Sequence, residues 1–149
     1  MSKIRVLRKT ERGDKDFKYL YIKMVDESFE PAKEYFIITE GAGFGGDAEM
    51  SEKLFEETRE MFAAFIKAYI CEDNYLVLQD QDGNEMHLSG CTSGFPGTGP
   101  KGTLNILRKL EFDIDLLNLI FMSPTFSIRN LRHGRYVDNP PGYVTGTAT

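Results

Sequence analysis

The stretch Glu34-Tyr35-Phe36-Ile37-Ile38-Thr39-Glu40-Gly41-Ala42-Gly43-Phe44-Gly45-Gly46-Asp47-Ala48 decides the fold. Its first half is β-branched and aromatic. Such residues pack well on a pleated surface, so Glu34 to Thr39 reads as a strand. Pro31 stands just before it, where a missing N–H does little harm. The second half places Gly41, Gly43, Gly45 and Gly46 close together and reads as a loop. Beyond it Leu54, Met61, Phe62, Phe65 and Tyr69 recur at helical spacing, with acids on the other side. The spacing predicts one long helix over about Ala48 to Ile70. Asp47 and Ser51 are both acceptable N-caps.

Towards the N-terminus, Lys3 to Arg8 and Phe17 to Val25 alternate with period two and read as strands, with Arg12-Gly13-Asp14 as the turn between them. Towards the C-terminus, Tyr75 to Gln79 and Glu85 to Leu88 flank Asp82-Gly83, a hairpin signal. A second Gly-rich loop, Gly90 to Gly99, then opens a second helix. Pro100 suits its first helical position, with Thr98 or Gly99 as cap. Leu104, Leu107 and Leu110 form its buried stripe, and Arg108 and Lys109 complement the C-terminal end of the dipole. Periodicity leaves Phe112 to Met122 open between a buried strand and a short helix. Phe126 to Ile128 reads as a short strand. Asn139-Pro140-Pro141-Gly142 and the small polar residues after it read as a flexible tail, 139–149. The expected architecture is α+β: one domain over 1–138, with an antiparallel or mixed sheet and two main helices packed on one face.

A chain of 149 residues suffices for one well-cored domain. The 41% apolar and 28% charged content excludes a disordered chain. A net charge of −5 disfavours double-stranded nucleic acid, which requires clustered Lys and Arg. Two cysteines are too few for a disulfide scaffold. Met1 to Thr10 is charged, and the apolar run Leu116 to Met122 is too short to span a bilayer, so the expectation is a cytoplasmic protein without a membrane partner. Apolar residues between Phe112 and Phe126, with unpaired sheet edges, point to a homo-oligomer.

Gly41, Gly43 and Gly46 satisfy G-x-G-x-x-G between a strand and a helix. The dinucleotide reading fails because the next strand turns back as a hairpin, and Asp80 lies well beyond the usual acidic position. The second loop lacks the phosphate-loop pattern: Pro100 separates Gly99 from Lys101, and Gly102 separates Lys101 from Thr103. The underlying physics survives, because a Gly- and hydroxyl-rich loop at a helix start offers free N–H groups and a positive dipole end. The expected ligand-facing residues are Gly43, Phe44, Gly45 and Gly46 in the first loop. In the second they are Thr92, Ser93, Gly94, Phe95, Gly97, Thr98 and Gly99, with Lys101 supplying charge. Arg129, Arg132 and Arg135 of the tail are guanidinium candidates for an anion. Gly43 to Gly46 and Gly94 to Gly97 also form a faint internal echo, which coincidence in a Gly-rich chain explains.

His87, Cys91, Cys71 and His133 lack the close paired ligands of a zinc site. Asp80, Asp82 and Glu85 share only their charge with a calcium loop. No metal, cofactor or catalytic group is expected. The leading reading is a binding protein for a small anionic, nucleotide-like ligand. An alternative is a small transferase or hydrolase, with the second loop as anion hole, Cys91 or Ser93 as nucleophile and His87 or His133 as base. A third is an interaction module acting through the acidic helix face, with Glu52, Glu56 and Glu60.

Overall fold

The computed structural model describes residues 3–112, 115–130 and 144–145. Eight strands form one sheet: β1 (Ile4–Gly13), β2 (Lys18–Asp26), β3 (Lys33–Glu40), β4 (Phe65–Ile70), β5 (Leu76–Asp80), β6 (Glu85–Leu88), β7 (Ser127–Arg129) and β8 (Val144–Thr145). Their spatial order is β1-β2-β3-β6-β5-β4-β7-β8. Every neighbouring pair is antiparallel except β3 and β6, which run parallel with Ile38 opposite Met86. Among the described residues there are three α-helices: α1 (Ala48–Thr58), α2 (Thr98–Lys109) and α3 (Leu116–Met122). The expected α+β class and mixed sheet are what the chain adopts.

Period two sorts each strand. Ile38, Leu76, Leu78, Met86, Leu88, Ala68, Ile70 and Ile128 turn to the helix side and are buried. Leu54, Phe55, Leu104, Ile106, Leu107, Leu116, Leu119 and Ile120 meet them in one core. α1 lies over β3 and β6, and α2 packs between α1 and α3. The other sheet face carries half-buried Tyr35, Ile37, Thr39, Glu85, His87, Gln79, Lys67 and Tyr69.

Two expectations are corrected, and one alternative left open is settled. The long helix over 48–70 ends at Thr58; a 3-10 turn over Arg59–Met61 follows, and Phe65–Ile70 is β4. Thr58 Oγ1 bonds back to the Leu54 carbonyl at 2.7 Å, and the Ala63 N–H is taken by Asp80 Oδ2 at 3.0 Å. The rings of Phe62 and Phe65, 5.0 Å apart, then turn the chain into the core, while Met61 stays exposed. The second helix is capped by Gly97, so Thr98 is its first residue and Pro100 its third. That still suits proline, because first-turn N–H groups have no intrahelical acceptor. Phe112 to Met122 resolves in favour of helix over Leu116–Met122, with the Asp115 carboxylate accepting from the Asn118 amide. Its buried residues, with Phe112 and Phe126, join the chain's own core, while Leu117 and Met122 of the same helix stay exposed.

Val144 and Thr145 of the expected tail pair with β7. The remainder of 139–149 lies outside the described residues. No helix among the described residues is long and apolar enough to cross a membrane.

Candidate functional site

Because β3 and β6 are adjacent and parallel, their carboxyl ends lie at the same end of the sheet. Each runs into a Gly-rich loop and then a helix, so the starts of α1 and α2 are brought together. Between them opens a cleft of about 520 Å³, lined by Gly46, Asp47 and Ala48 on one side and by Ser89, Gly90, Thr92, Phe95, Thr98 and Gly99 on the other.

The two loops are cross-linked through one buried carboxylate. Gly46 N–H donates to Ser89 Oγ at 2.8 Å, and Ser89 Oγ donates to Glu40 Oε1 at 2.8 Å. Gly90 N–H donates to Ser51 Oγ at 2.8 Å, and Ser51 Oγ donates to Glu40 Oε2 at 2.6 Å. The Ser89 amide adds a bond to Glu40 Oε1 at 3.2 Å. Glu40 thus ties the two loops together without itself lining the cleft. A signal for it existed in the sequence: Phe36, Ile38 and Glu40 share one face of the strand, which puts an acid on the buried side.

The loops approach so closely that side chains are excluded at two points. A Cβ on Gly90 would fall 2.2 Å from the Asp47 carbonyl carbon, and one on Gly99 2.1 Å from Thr92 Oγ1. That hydroxyl oxygen is buried and has no hydrogen-bond partner among the described residues.

The two helix starts differ. Asp47 caps α1, its Oδ1 accepting the Glu49 amide at 2.8 Å, so that end is already neutralised. α2 has no side-chain cap and no acid in its first turn. The Thr98 and Gly99 amides have no acceptor among the described residues. The positive end of the α2 dipole therefore faces the cleft from one wall, and the Asp47 carboxylate stands on the other.

Of the expected ligand-facing residues, Gly46, Thr92, Phe95, Thr98 and Gly99 line the cleft. Gly97 caps α2, and Lys101 lies exposed in its first turn. Gly43 and Gly45 sit on the exposed outer loop. Phe44 is turned inward, edge-on to Phe17 at 5.7 Å, whereas Phe95 remains 48% exposed, so the two rings do not share the cleft. Ser93 and Gly94 anchor the loop to the α3 region: Ser93 Oγ donates to the Pro124 carbonyl at 2.9 Å, and Gly94 N–H to the Ile120 carbonyl at 2.7 Å. Arg129 stands on β7, three strands from β6 and level with Gln79 and Glu85 rather than with the loops. Arg132, Arg135 and His133 lie outside the described residues.

The groups considered for catalysis are otherwise engaged. Cys91 is fully buried, and burial, followed by the nearby Glu40 and Glu52 carboxylates, pushes its thiol well above the ordinary range. His87 lies on the open sheet face, with Nδ1 3.0 Å from Tyr75 Oη and Nε2 2.8 Å from Glu85 Oε1. Burial raises the Tyr75 hydroxyl above its ordinary range, and its oxygen is engaged with His87 Nδ1. Asp80 is buried as a turn residue, and no group of three or more His, Cys, Asp or Glu side chains among the described residues could hold a metal ion. On the acidic helix, Glu52 accepts from Asn105 at 3.1 Å and Glu56 from Lys109 at 2.8 Å, joining α1 to α2.

A thiol titration checks this picture. Cys71 is half-buried and Cys91 fully buried. A disulfide reagent at mildly alkaline pH is expected to modify Cys71 in the native protein and both thiols only after denaturation. Rapid native reaction at Cys91 would restore it as a nucleophile.

The fold and the cleft together define an α+β protein with paired strand–glycine loop–helix units opening at one end of the sheet. No protein-family model matches the chain, and neither curated proteins nor solved structures give a match.

Proposed function

We propose that the chain is a non-catalytic binding protein that captures a small anionic, nucleotide-like ligand in the cleft between its two Gly-rich loops. The observation that carries this reading is the open start of α2 on the wall of an approximately 520 Å³ cleft, with the Thr98 and Gly99 amides unengaged among the described residues. An anionic group docks there on two N–H donors and the helix dipole, with Lys101 nearby on the same turn. Phe95 offers a ring face to a flat group. Asp47, facing α2, repels a second anion but accepts hydroxyl protons, which suits a phosphorylated sugar or nucleoside better than a polyphosphate.

A thermal-shift panel of inorganic phosphate, sugar phosphates and nucleoside monophosphates tests this. A ligand present at a hundredfold excess over Kd stabilises by about 2.7 kcal/mol, which raises Tm by roughly 5–10 °C for a chain of this size. Thr98→Pro is the informative variant. Proline is well tolerated at the first helical position, and it deletes one ligand-facing amide. Stability is expected to change little, while affinity falls about tenfold or more, the worth of a hydrogen bond to a charged group. No shift with any anion, or an affinity untouched by Thr98→Pro, would sink the proposal.

A further inference from the structure

A second surface, on the β1–β2 hairpin and lined by none of the cleft residues, has a different chemistry. Charge is segregated along the chain. Residues 3–26 hold eight Lys and Arg against four Asp and Glu, a balance of +4, so the remainder of this −5 protein carries −9. That segment is the β1–β2 hairpin, which extends the sheet beyond the two strands that α1 covers.

The register aligns its side chains. Arg8 lies opposite Lys23, Thr10 opposite Tyr21, and Arg12 opposite Tyr19, and directly opposed residues share a face. Tyr21 is in turn opposite Ile38, so this is the helix-side face. Beyond the helix it forms a shelf. The Arg12 guanidinium stacks 4.2 Å above the Tyr21 ring, which stacks on Phe36 at 5.2 Å. Tyr19 lies beside Phe17 at 6.4 Å, and Lys53 Nζ reaches over Phe17 from α1 at 5.3 Å. The result is one row: Lys53, Phe17, Tyr19, Tyr21 under Arg12, then Arg8 with Lys23. Tyr19 and Tyr21 are half-buried, and Arg8 and Arg12 are exposed.

We propose that this shelf on the β1–β2 hairpin binds single-stranded nucleic acid. The Tyr19 ring and the Arg12 guanidinium above Tyr21 stand at alternate strand positions, about 7 Å apart, and each accepts a base face regardless of sequence, while the buried Phe17 supports the row from within. The Arg12 guanidinium carbon sits 4.2 Å over the Tyr21 ring, so this planar group offers base-stacking contact as well as a charge. Arg8 and Lys53 flank the platforms, where the phosphates of a strand lying along the row must pass. A duplex hides its base faces and gains nothing from the rings, which leaves the acidic remainder of the protein to oppose it. An acidic peptide would meet the same charges but has no use for the planes.

Fluorescence anisotropy with labelled oligothymidylate and oligouridylate tests the shelf, with a duplex of equal length and an oligoglutamate as comparisons. Single strands are expected to bind at low salt in preference to both comparisons. With three cations engaged, affinity should fall about 20-fold for a fourfold rise in salt. Arg8→Glu should lower it further, and Arg12→Lys, which keeps the charge and loses the plane, should cost about fivefold or more. Both positions are exposed, and unchanged circular dichroism confirms the fold. Absence of single-strand binding, equal binding of oligoglutamate or duplex, or full affinity in Arg12→Lys would each overturn the proposal.

Discussion

Replacing Glu40 by leucine is expected to lower stability by about 3–5 kcal/mol and to abolish binding in the cleft. The carboxylate accepts from Ser51 Oγ, Ser89 Oγ and the Ser89 amide, and Ser51 is completely buried. Leucine has a similar volume but no acceptor. Several donors then lose their partner in a site that water does not readily reach, at about 1–3 kcal/mol each. The loss corresponds to a drop in Tm of roughly 10–15 °C. Glu40→Gln keeps one acceptor oxygen but turns an amide nitrogen towards a hydroxyl or N–H, so an intermediate cost of about 1–2 kcal/mol is expected. Urea unfolding of the three proteins gives the order. The stability change has a functional counterpart, because Ser89 and Ser51 each pass the carboxylate's hold to a loop amide, at Gly46 and Gly90. Without it the two loops lose their fixed separation. Leucine at wild-type stability would remove Glu40 as the tie between the loops.

What could be read in advance follows a physical division. β2, β3 and the β5–β6 hairpin were legible because their signals are local: period-two alternation, β-branched residues and an Asp82-Gly83 turn. The end of α1 was not. Phe62, Phe65 and Tyr69 fit a helical repeat as well as they fit a strand, and Asp80 Oδ2, distant in sequence, takes the Ala63 N–H that would have continued the helix. The loops show the same division. Both glycine–phenylalanine pairs look alike as sequence, yet Phe44 finds Phe17 beside it and closes the core, whereas Phe95 finds no such ring among the described residues and stays at the cleft. The adjacency of β3 and β6, on which the whole cleft rests, is a long-range parallel pairing that no short pattern announces.

That pairing has its own control point, and disrupting it should be as costly as losing Glu40. Asp80→Ala is expected to cost about 3–5 kcal/mol, with Asp80→Asn near 2 kcal/mol. Asp80 is buried, and its Oδ1 accepts the amides of Asp82 and Asn84 at 2.9 Å each. Oδ2 accepts the Ala63 amide at 3.0 Å and the Asn84 side-chain amide at 3.4 Å. Asparagine retains the Oδ1 bonds but presents an NH2 group to the Ala63 N–H, hence its intermediate value. The effect should also travel. Asn84, held at its Nδ2 by Asp80, uses its Oδ1 to accept the Phe36 amide at 3.0 Å, a bond from the hairpin turn to β3. Loss of Asp80 therefore frees the residue that ties β6 to β3, at the end of the sheet opposite the cleft. Amide exchange should accelerate at Ala63 and Phe36 together. Acceleration at Ala63 alone would show that the hairpin turn and the β3–β6 pairing are held independently. The convergence of the two glycine loops would then have to rest on Glu40 and the helix packing alone.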